Sequence, residues 1–130
     1  MKYACIDVGL KRVGVAICLQ DDIVIPQNAI IRKNRNQAAR EVDDFLSQWQ
    51  IDGLVVGIPK GGSSSKEMQR RIEHFVSLLN FSKEIFYQDE HSSSKEAKEQ
   101  MQGITKQKRD GRIDSIAAKI ILERFLYRNL

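Results

Sequence analysis

The apolar residues of this chain change period after Ile31, and that change fixes the class of fold. Before it, three apolar stretches of strand length follow one another: Tyr3 to Val8, Val13 to Leu19 and Ile23 to Ile31. The links between them, Gly9 to Arg12 and Gln20 to Asp22, are short enough only for antiparallel neighbours. Pro26 cannot donate to a central ladder, so the third strand is expected at an edge or bulge. After Ile31 the apolar positions fall at Ala38, Ala39, Val42, Phe45, Leu46 and Trp49, the stripe of an amphipathic helix over Asn36 to Gln50. The continuous apolar run Gly53 to Ile58 then reads as a parallel strand covered on both faces, ended by Pro59. Lys60 to Ser65 is a Gly/Ser loop, followed by a helix with Met68, Ile72, Phe75, Val76 and Leu79 on one side. Glu84 to Gln88 reads as a further strand, Ser92 to Met101 as a short helix, and Asp114 to Tyr127 as a final one. Between the last two, Gln102 to Arg112 carries Lys106, Lys108, Arg109 and Arg112 without apolar period and reads as a basic loop.

These elements predict one α/β domain over residues 1–130. Its mixed sheet has five strands, a three-strand antiparallel meander plus two parallel strands, flanked by helices. Right-handed crossovers put the fourth strand beside the first and the fifth outside it. Ligands in such sheets gather at the carboxyl ends of the parallel strands, where Asp7, Pro59 and Asp89-Glu90 fall.

Apolar residues at 42% and charged residues at 29% suit a globular chain, and the net charge of +4 favours an anionic partner. Cys5 and Cys18 both sit inside apolar runs, so they read as core thiols and not as zinc ligands. The longest apolar run, Val13 to Leu19, is too short to cross a bilayer. A cytoplasmic protein without a membrane partner is expected. No heptad pattern marks a dimer stripe, which leaves monomer and homodimer both open.

Carboxylates carry the chemistry. Asp7 ends a core strand, where an unpaired acid is costly. Asp89 and Glu90 follow the fifth strand. Asp114 lies at helical spacing from Ala117, Ala118, Ile121 and Phe125, and so shares the stripe that packs on the sheet. Each has an ordinary alternative: Asp7 could pair with Lys11 or Arg12, Asp89 could cap a helix, and Asp114 could be an N-cap. Together they suit a hard divalent cation such as Mg²⁺. Metal-assisted hydrolysis of a phosphodiester is the reaction that such a site supports. An ATP-handling rival is weaker, because Gly57-x-x-x-x-Gly62 has Ser63 where the phosphate-loop lysine should stand. The Asp7-x-Gly9 hairpin resembles that of actin-like ATPases, which need two such domains around a cleft. A third reading is a nucleic-acid-binding module without catalysis. Intact acids argue against it, since a backbone binder gains nothing from anions beside phosphates.

With these residues in hand, the chain resembles the YqgF (RuvX) family of bacterial RNase H-like proteins along essentially its whole length. The family's opening Asp-x-Gly-x-Lys-x-x-Gly-Val-Ala is matched by Asp7, Gly9, Lys11, Gly14, Val15 and Ala16. Its Val-Val-Gly-Leu-Pro strand end stands here as Val55-Val56-Gly57-Ile58-Pro59. Its Asp-Glu-Arg-x-Ser/Thr-Thr segment is Asp89-Glu90-His91-Ser92-Ser93-Ser94, and its Val-Asp-Ser-x-Ala-Ala is Ile113-Asp114-Ser115-Ile116-Ala117-Ala118. The resemblance implies an RNase H-like nuclease with catalytic acids Asp7, Glu90 and Asp114. These acids, with Asp89 as a fourth, would hold Mg²⁺ or Mn²⁺. It implies maturation of the 5′ end of pre-16S rRNA, or alternatively resolution of four-way DNA junctions. Lys11, Arg12, Lys60, His91, Ser93, Ser94, Lys108 and Arg109 would then contact pre-rRNA or branched DNA. His91 departs from the family's usual Arg, a permanently charged fork, and Gly61-Gly62 with Ser63 to Ser65 depart from its Asn-Met-Asp-Gly loop.

Overall fold

The computed structural model describes residues 1–20, 23–61, 65–91, 93–101 and 111–128. Five strands, β1 (Tyr3–Val8), β2 (Arg12–Cys18), β3 (Val24–Ile31), β4 (Gly53–Ile58) and β5 (Glu84–Asp89), form one sheet in the order β3-β2-β1-β4-β5. β1, β2 and β3 pair antiparallel, whereas β4 is parallel to both β1 and β5. This is the order expected from the sequence. Pro26 lies in the edge strand β3.

Among the described residues, four helices flank the sheet: α1 (Arg35–Gln48), α2 (Ser65–Ser77), α3 (Ser93–Met101) and α4 (Arg112–Arg128). α1 starts at a capping box. The Asn34 side chain accepts from the Gln37 N–H at 2.7 Å, and the Gln37 side chain accepts in return from the Asn34 N–H. It ends two residues earlier than its apolar stripe suggests. Gln50 turns left-handed, with φ +52°, and sends the Ile51 N–H back to the Leu46 carbonyl at 3.0 Å. α4 starts two residues earlier than predicted, so Asp114 lies in its first turn and is not its N-cap.

Alternation along β1 separates two cores. Ala4, Ile6 and Val8 join Val42, Leu46, Ile72 and Phe75 under α1 and α2. Cys5 faces the other way, into a cluster with Val55, Ala118, Ile121 and Leu122 under α4. Asp7, two residues on, follows Cys5 to the α4 side. No helix among the described residues is long and apolar enough to cross a membrane.

Candidate active site

Two glycines let α4 and the β5–α3 turn close over the sheet. Gly14 stands opposite Asp7 in the β1–β2 ladder, and a Cβ built on it would overlap the backbone carbonyl of Asp114. The start of α4 therefore rests directly on β2. Ser115 Oγ accepts from the Val15 N–H at 3.2 Å, where the β2–β3 register slips. Gly57 plays the same part in β4. A Cβ there would stand 2.7 Å from Ile121 Cδ1 and 3.3 Å from Glu90 Oε2. At Gly14 the neighbour is backbone, so a side chain would push the start of α4 away, whereas at Gly57 the neighbours are side chains.

Glu90 continues β5 by donating its N–H to the Ile58 carbonyl at 3.0 Å. Its side chain hydrogen-bonds the Asp7 carboxyl. Burial raises the Glu90 pKa above the ordinary glutamate range; the Asp7 bond opposes that rise, and the charge of Asp89 adds to it. Cys5 lies within reach of the same pair. Its thiol is pushed well up, first by burial and then by the charges of Asp7 and Glu90. It is thereby held protonated and unsuited to be a nucleophile.

Asp114 is turned to a different partner. Arg12 Nε donates to its Oδ2 at 2.8 Å, and both side chains are largely covered. Among the described residues, no three His, Cys, Asp or Glu side chains stand together as a ready ion cage. The fold brings Asp7 and Glu90 into contact and lays the start of α4 over Gly14, while Arg12 holds the Asp114 carboxylate.

The remaining predicted residues divide. Lys11 and Arg12 line a cleft of about 490 Å³ with Gly9, Leu10 and Asp114. Lys60, Asp89, Glu90 and His91 line a second of about 450 Å³ with Pro59 and Gly61. Asp89 Oδ1 accepts from the His91 N–H at 3.1 Å, so Asp89 also braces its own turn. His91 is exposed. Arg124 Nη1 donates to the His91 carbonyl at 2.7 Å and its Nη2 to Glu96 at 3.0 Å, which fastens this turn to α4. Ser93 is buried at the start of α3. The Ser94 side chain, Lys108, Arg109 and most of the basic loop lie outside the described residues. A cavity of about 570 Å³ at the opposite end of the sheet, by Asp52 and Asn80, holds none of the predicted residues.

The family model for RuvX, described as a Holliday junction resolvase, matches residues 1–128. The chain belongs to the RuvX family. A Sulfurovum relative is 68% identical over 97% of this chain and 98% of its own. One from Sulfurimonas denitrificans is 57% identical over 97% of both chains, and one from Campylobacter lari is 51% identical over 96% and 97%. All three are provisionally named pre-16S rRNA nuclease. Among solved structures, RuvC of T. thermophilus in complex with a Holliday junction substrate superposes with a TM-score of 0.61. It is 13% identical over 99% of this chain and 95% of that one. The fowlpox virus Holliday junction resolvase gives 0.58 at 14% identity over all of both chains. This RuvX-family chain has the RNase H-like fold of those resolvases.

Sequence reading alone passed over a second group of cations. Arg32, Arg35, Arg70, Arg71 and His74 line a cavity of about 510 Å³ beside the Gly9-Leu10 turn. In the chain they look like scattered surface charges, and His74 looks merely solvated. The available signal was spacing: Arg70, Arg71 and His74 flank the Met68/Ile72 stripe of one helix.

Proposed function

We propose that this RuvX-family chain acts through residues 1–130 as one metal-dependent nuclease domain. Its reaction is phosphodiester hydrolysis in maturation of the 5′ end of pre-16S rRNA. The observation that carries the reading is the Asp7–Glu90 carboxylate pair at the carboxyl ends of β1 and β5. Two carboxyls bond to each other only with a proton between them. A divalent cation would take that proton's place, and hard carboxylate oxygens are the ligands Mg²⁺ or Mn²⁺ prefers. Asp7 and Glu90 would hold it, with Asp114 and Asp89 completing the set. The reading requires Asp114 to exchange Arg12 for the ion. Once bound, such an ion activates water and stabilises the leaving oxygen.

The protein's own groups do the rest. Lys11 and Lys60 lie on the two clefts beside the acids and would grip backbone phosphates without reading bases. Arg12, released from Asp114, would be free for a phosphate oxygen, to which its planar fork is well suited. His91 is exposed on the second cleft and would serve as a weaker contact than the family's arginine. Relatives over half identical along their whole length, and named for pre-16S rRNA, support the substrate.

A second reading, cleavage of four-way DNA junctions, is favoured by the description of the matching family. One experiment tests both. Wild type and Asp7→Asn are compared on a pre-16S rRNA fragment and on a four-way DNA junction, each with Mg²⁺. Cleavage of the RNA by wild type only, with a loss of roughly 100-fold or more in the variant, is the expected result. Equal cleavage by Asp7→Asn overturns the site, and cleavage of the junction alone overturns the substrate.

A further inference from the structure

The acidic cleft lies on the α4 side of the sheet. On the α1/α2 side, across the tip of the β1–β2 hairpin, lies the arginine-lined cavity of about 510 Å³. Gly9 and Leu10 line both this cavity and the cleft that holds Arg12 and Asp114, so the two flank the same turn. Among the described residues, four arginines and His74 line the cavity, and no carboxylate does.

The cations are held in place. Arg32 donates to the Gly9 carbonyl, and its guanidinium stands 5.4 Å from the centre of the Phe75 ring. Burial first, and then the charge of Arg35, lowers the Arg32 pKa. Arg35 Nη1 lies 3.1 Å from His74 Nε2. Arginine can only donate, so His74 Nε2 is the accepting atom of this contact. Arg71 pairs with Glu67 at 2.7 Å, but both are more than half exposed, and such pairs yield readily to a better anion.

We propose that this cavity is a second polynucleotide-binding site, which takes backbone phosphates of the strand as it leaves the acidic cleft over the Gly9-Leu10 turn. The proposal rests on the nuclease reading for its ligand but not for any catalytic residue. Its phosphates would seat on Arg35, Arg70 and Arg71, while Arg32 holds the turn.

The test measures fluorescence anisotropy of a labelled single-stranded RNA, long enough to cover both clefts, in EDTA and over a series of salt concentrations. Wild type is compared with Arg70→Gln/Arg71→Gln and with Lys2→Gln/Lys83→Gln, which removes the same charge from the opposite rim of the sheet. The arginine pair is expected to weaken binding roughly tenfold and to lower the slope of log Kd against log salt by about 1.4, near 0.7 per phosphate lost. The lysine pair should leave affinity within about twofold. Unchanged binding by the arginine pair overturns the proposal, and so does an equal loss in the lysine pair, which would mean net charge alone. A labelled mononucleotide bound as tightly as the RNA would reassign the cavity to small anions. If wild type binds no RNA, this proposal and the nuclease reading both fall. If Asp7→Asn still cleaves while the arginine pair weakens binding, only the catalytic assignment falls.

Discussion

The carboxyls of Asp7 and Glu90, far apart in the chain, are hydrogen-bonded to each other. Burial raises the pKa of Glu90, and the bond with Asp7 offsets only part of that rise. The consequence for stability has a definite sign. A carboxyl with a raised folded pKa binds its proton more tightly folded than unfolded. Stability from this pair is fully present below the ordinary glutamate value of 4.5 and is lost as pH rises through the raised value. Thermal midpoints in EDTA should fall across that window. Glu90→Gln should flatten this part of the profile, and an identical slope in the variant would assign the effect elsewhere.

A divalent ion should reverse that loss. Near neutral pH, Mg²⁺ or Mn²⁺ in place of the proton stabilises the folded chain by mass action, about 2.7 kcal/mol at a hundred times its Kd. The midpoint should rise with ion concentration in wild type, and rise little in Asp7→Asn or Glu90→Gln. Equal shifts in all three proteins would place the ion outside this pair.

Arg12 competes with any cation for Asp114. Arg12→Ala removes the 2.8 Å charged hydrogen bond to Asp114, so in EDTA the variant should lose about 1.5–3 kcal/mol in denaturant unfolding. Calorimetric titration should nevertheless show tighter Mn²⁺ binding than in wild type, because no guanidinium has to be displaced. RNA affinity should fall at the same time. Weaker Mn²⁺ binding by Arg12→Ala would show that Arg12 supports the ion and does not oppose it.

Gly14→Ala probes close approach without touching a charge. The added methyl collides with backbone, which cannot rotate away, and overpacking of this kind costs about 1–3 kcal/mol. Asp114 should move with the start of α4, so cleavage should fall further than the stability loss explains. A variant with wild-type stability and cleavage would show that α4 can shift without consequence.

The sequence by itself determined the elements and their order. Apolar period separates strands from helices, since side chains repeat every two residues on one and every 3.6 on the other. Short links and right-handed crossovers then allow little but β3-β2-β1-β4-β5. The motif acids were legible because Asp7 and Asp114 interrupt apolar stripes. Tertiary structure decided which charges meet. It gave Asp114 to Arg12 and Asp7 to Glu90, and it showed that Gly14 and Gly57 are empty because backbone and side chains need their space. It also drew Arg32 and Arg35 to one cavity with Arg70 and Arg71 from a distant stretch of chain. Ion pairing depends on distances of a few ångströms between residues far apart in sequence. Periodicity carries no record of such distances; only the packed chain does.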